Sequence, residues 1–63
     1  MKKHIRVALK MAGLRESDVS IVQAGKHPHI RLNGREIVTS STPRNVETAA
    51  RMLARDLRLA LNS

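Results

Sequence analysis

The sequence contains no cysteine and no phenylalanine, tyrosine or tryptophan. Without cysteine there is neither a disulfide framework nor a thiolate metal site, a usage that fits the reducing cytoplasm. The absence of these three rings argues against a reader that stacks exposed bases as RRM and OB modules do. Groove shape and backbone contacts to nucleic acid stay open. The core must be built from Ile, Leu, Val, Met and Ala. Long apolar runs are missing as well. No stretch approaches the roughly 18 apolar residues of a membrane span. The first lysines lead into no signal-peptide apolar run. The expectation is a cytoplasmic chain without a membrane span, and no cofactor is expected.

Acidic residues are the other shortage. Five Asp and Glu stand against twelve Lys and Arg, a net charge of +7 over 63 residues. On a chain this small, that excess predicts attraction to a polyanion. RNA or another nucleic acid is the first candidate, an acidic protein the second and an anionic membrane surface the third. Solubility alone is the plain alternative. The length makes one domain, 1–63, near the lower limit for folding without staples. So thin a core predicts marginal stability, or support from a partner or a homodimer.

Asn33-Gly34, set between two alternating runs, is the clearest local signal. A type I′ turn needs φ > 0 at both central positions, and this pair suits it best. Counting outward, Leu32 faces Arg35, Arg31 faces Glu36, Ile30 faces Ile37 and His29 faces Val38. Side chains alternate along a strand. Ile30, Leu32 and Ile37 therefore share a core face, and His27, His29, Arg31 and Glu36 share the other.

Lys2 to Ala12 reads as a helix, with Ile5, Ala8, Leu9 and Ala12 on one stripe. Lys3, Arg6 and Lys10 lie opposite, and Gly13 followed by Leu14 makes a helix stop. Residues 15–18 read as a polar loop. Val19 to Ala24 is rich in β-branched residues and reads as a first strand of ambiguous facing. Thr42 as N-cap and Pro43 at N1 open a last helix to Leu61. Its stripe is Val46, Ala50, Leu53, Leu57 and Leu61. Arg44, Arg51, Arg55 and Arg58 form a basic face, with Glu47 placed to pair with Arg51. The fold class is α+β in the order α-β-β-β-α. A three-stranded antiparallel sheet carries both helices on one face and leaves the other open.

Several residues carry a likeness beyond this layout. Gly25-Lys26-His27 enters the second strand, Ile37-Val38-Thr39 forms the third, and Ser41-Thr42-Pro43 leads into a closing amphipathic helix. With the first helix stopping at Gly13, the chain resembles the HicA toxin family over nearly its whole length. That resemblance implies a double-stranded-RNA-binding-domain-like fold, metal-free cleavage of mRNA and an acidic antitoxin partner of the HicB type. It also implies that His27 is the catalytic residue. The chain departs from the family pattern at Lys26, where Ser is usual, at Pro28, and in lacking aromatic residues.

An imidazole titrating near neutrality can take the 2′-OH proton or protonate the leaving oxygen. Lys26 and Arg31 are placed to stabilise the charge that develops on phosphate. His29 reads as a surface residue that binds phosphate when protonated, with a second acid/base role as the sharper alternative. His27 and His29 do not amount to a zinc site, because a structural site needs four ligands. No metal is expected. His4 is expected exposed or at the core edge. The cations of both helices, Lys3, Arg6, Lys10, Arg44, Arg51, Arg55 and Arg58, read as a phosphate-tracking surface or as solvated helix faces. Two functions follow: a HicA-like endoribonuclease, or a small phage-type basic protein that binds a partner without catalysis.

Overall fold

The computed structural model of the chain describes residues 2–25, 27–40 and 43–62. Helix α1 spans Lys3–Met11, strands β1, β2 and β3 span Ser20–Ala24, His27–Leu32 and Arg35–Val38, and helix α2 spans Val46–Leu61. The strands form one antiparallel sheet in the order β1-β2-β3. This is the α-β-β-β-α order and the α+β class read from the sequence. Among the described residues no helix is long and apolar enough to cross a membrane.

The hairpin follows the counted register. Leu32 pairs with Arg35, Arg31 with Glu36, Ile30 with Ile37 and His29 with Val38. Asn33 and Gly34 both have positive φ, 54° and 78°, as the turn requires. Asn33 does a second job that its turn role did not suggest. Its Nδ2 donates to the Ala60 carbonyl at 3.0 Å, tying the hairpin tip to the end of α2.

Helix α1 stops where Gly13 takes φ 74°. The Gly13 N–H donates to the Lys10 carbonyl and the Leu14 N–H to the Leu9 carbonyl, at 3.1 and 2.8 Å. These are the paired bonds of a Schellman stop, and Leu14 then packs on the core. The expected polar loop contains one 3-10 turn, Glu16–Asp18. Asp18 Oδ2 accepts there from the Arg15 N–H at 2.9 Å.

Pairing settles the facing of β1, which begins at Ser20 rather than Val19. Ile21 sits opposite Ile30 on the core side, and Val22 is exposed. The core joins Ile5, Ala8 and Leu9 of α1, Ile30 and Leu32 of β2, and Ala50, Leu53, Ala54, Leu57 and Ala60 of α2. Both helices thus share the face that β2 fills with Pro28, Ile30 and Leu32, all buried.

Three expectations need correction. Helix α2 begins at Val46, and its N-cap is Asn45, whose side chain accepts from the Thr48 N–H at 3.1 Å. Asn caps at least as well as Thr, and this start puts Glu47 in the first turn, where the helix dipole favours a carboxylate. Thr42, the expected cap, lies outside the described residues. Val46 and Leu61 hold the angular position of the buried stripe but are exposed at the helix ends, and Ala54 and Ala60 complete the stripe instead. His4 is buried at 2 % exposure. It lies one residue before Ile5, on the flank of the stripe, so the fold covers it. Its Nε2 has no hydrogen-bond partner among the described residues.

Candidate nucleic-acid interface

The alternation of β2 sets the geometry. Pro28, Ile30 and Leu32 point to the core, so His27, His29 and Arg31 share the uncovered face. Glu36 stands directly across from Arg31 and diagonally from His29, within reach of both side chains. His29 Nδ1 lies 3.2 Å from Glu36 Oε2, and Arg31 Nε lies 3.4 Å from Glu36 Oε1. One carboxylate therefore ties together two of the three basic side chains. Nδ1 is the nitrogen that donates, which leaves Nε2 of His29 facing away from the carboxylate.

His29 is half-buried, whereas His27 is exposed, and among the described residues no hydrogen bond or ion pair engages His27. Lys26 lies outside the described residues. Glu36 is a member of this cluster that the sequence places on the same face but does not single out as a site residue. Its place across from Arg31 was readable, but its bond to His29 depends on side-chain geometry across the diagonal.

The hydrogen bond from His29, then that from Arg31, holds the Glu36 carboxyl below its ordinary value. The folded chain thus binds this proton less tightly than the unfolded chain. The pairing stabilises the fold above the ordinary carboxylate range, and that contribution disappears as pH falls through the lowered value. Glu36→Gln is expected to melt below wild type at neutral pH, with the gap closing below about pH 4. Thermal melts followed by circular dichroism across that range check this. A gap that stays constant with pH would show that the ionised carboxylate is not what stabilises the fold.

The helix cations lie elsewhere. Lys3, Arg6 and Lys10 are exposed on the side of α1 away from its buried stripe, and Arg51, Arg55 and Arg58 run along an exposed flank of α2. They belong to the helix layer, on the other side of the molecule from His27, His29 and Arg31. Two of them have local partners. Arg51 Nη2 lies 2.7 Å from Glu47 Oε1, the expected i,i+4 pair, and Arg58 Nη2 donates to the Met11 carbonyl at 3.0 Å. Arg58 therefore joins the two helix ends. Arg44 is exposed in the bend before Asn45. The fold separates the expected cations into a sheet face and a helix face.

Among the described residues no group of three or more His, Cys, Asp and Glu side chains is arranged to hold a metal ion. No family model, no curated protein and no solved structure matches the chain.

Proposed function

We propose that the chain is a HicA-like RNA-binding protein that cleaves mRNA without a metal ion, using the histidines of its open sheet face. The observation that supports this reading most is the row His27, His29 and Arg31 on one uncovered face, with Glu36 holding the middle imidazole. In this reaction the 2′-oxygen attacks phosphorus and the bond to the 5′-oxygen breaks. The products are a 2′,3′-cyclic phosphate and a free 5′-OH. A base must take the 2′-OH proton and an acid must supply one to the leaving oxygen. His29, donating Nδ1–H to Glu36, presents Nε2 as the base. Exposed His27 supplies the acid. Arg31, with Lys26 beside His27 in the chain, neutralises the charge that develops on the phosphate oxygens. The remaining cations draw the polyanion in at long range. An acidic antitoxin that covered the sheet face would switch the activity off.

A second reading has an observation of its own. No described side chain orients His27, and an unheld imidazole suits phosphate binding better than proton transfer. On that reading the chain is an RNA- or protein-binding regulator that does not cut.

One experiment weighs both. Purified chain is incubated with end-labelled mRNA in EDTA, and binding is measured by anisotropy at low and high salt. Expected are EDTA-resistant cleavage to cyclic phosphate ends and an affinity that falls steeply as salt rises. Salt-sensitive binding without cleavage overturns the catalytic reading and leaves the binder. Absence of both overturns both.

A further inference from the structure

We infer that two copies of this chain pair through the free edge of β3, joining their sheets into one of six strands about a two-fold axis at Ile37. The edge is open because β3 ends the sheet. Hydrogen-bonding direction alternates along an antiparallel strand. Thr39 donates its N–H to the Pro28 carbonyl, so residues 35 and 37 also bond inward to β2. Glu36 and Val38 turn their N–H and C=O groups to the free edge. A two-fold axis at Ile37 sets Glu36 against Val38 of the second copy, and the reverse. Each such pair exchanges two bonds. The parity of the faces is kept, so both open faces lie on the same side.

The surface beside that edge suits a second copy. Two adjoining grooves run between β3 and α2 and share Val38 and Asp56. Their rims carry large exposed apolar side chains, Val38 at 55 %, Met52 at 65 % and Leu59 at 56 %. Charge decides between possible occupants. The chain as a whole is strongly cationic, but these grooves hold one cation, Arg35, beside two carboxylates, Glu36 and Asp56, a locally acidic set that a second copy of a basic chain complements. Arg35 and Asp56 make no ion pair among the described residues. In the two-fold register Arg35 faces Thr39 of the second copy. Thr39 and Asp56 line the same groove, so this register brings Arg35 to the groove that holds Asp56 of the second copy, and the approach occurs twice. A small stable interface buries about 600 Å² per partner, a modest part of the 4491 Å² this chain exposes.

Sedimentation equilibrium of the full chain, from about 10 µM to about 1 mM, tests this. The expected result is a species of twice 7.0 kDa growing in with concentration. Arg35→Glu and Asp56→Arg are each expected to raise the dissociation constant about tenfold or more, and the double reversal to bring it back. Opposing effects on net charge make this pair informative. Arg35→Glu lowers the overall positive charge, so if only general repulsion mattered it would strengthen association. Val38→Pro removes an outward N–H while leaving the bonds to β2 in place, and it is expected to abolish the dimer. Far-UV circular dichroism confirms that each variant folds. A chain that stays at 7.0 kDa across the range overturns the proposal. So does a dimer that is insensitive to these variants.

Discussion

Leu57→Ala is expected to unfold the chain, or to lower its melting temperature by more than about 10 °C. Leu57 is fully buried in the C-terminal half of α2, among the side chains that join both helices to the sheet. Truncating a buried leucine removes its transfer free energy and leaves a cavity, together about 2–5 kcal/mol. A chain of this length has only about 3–9 kcal/mol of stability in total. The loss is therefore a large share of what keeps it folded. Aromatic side chains would have spread the load, but there are none. Leu59→Ala, two residues on and largely exposed, is expected to shift stability by less than about 0.5 kcal/mol. Urea unfolding of both variants beside wild type makes the comparison. Equal midpoints for the two would mean that α2 does not pack through its Leu57 face.

On the proposed function, His27→Ala is expected to slow EDTA-resistant RNA cleavage by about 10²–10⁴-fold, the usual worth of one general acid or base. Binding, measured separately, is expected to change by only a few-fold, because on the proposed function the phosphate contacts come from several cations. His29→Ala is expected to match it, since a proton must be both taken and given. Glu36→Gln should fall between, because it removes the group that fixes the His29 tautomer but leaves both imidazoles. The pH–rate profile separates acid from base: each histidine variant loses one limb of the bell. Cleavage that persists in His27→Ala at the wild-type rate would remove that residue from the reaction. Loss of binding along with cleavage would mark it as a phosphate ligand.

Local patterns carried much of the architecture. The hairpin register follows from Asn33-Gly34 because few residue pairs accept φ > 0 twice in succession. From it the inward and outward sets of β2 follow by parity. Gly13 stops α1 for a related reason. The start of α2 differs from the expectation because Thr42-Pro43 is a good opening in isolation, while Asn45 is a cap closer to the helix. Either is sound chemistry locally, and the helix begins at the second.

What the sequence by itself determined is the order of elements, the turn, the register of the hairpin and the excess of positive charge. Each rests on neighbours a few residues apart, where period and backbone sterics leave little choice. Only the tertiary structure decided that His4 is buried, that Asn33 holds the end of α2, and that Glu36 binds His29 as well as Arg31. These depend on which rotamers meet and on how a helix is rotated over a sheet. The packing of an all-aliphatic core settles both, and no local period encodes them.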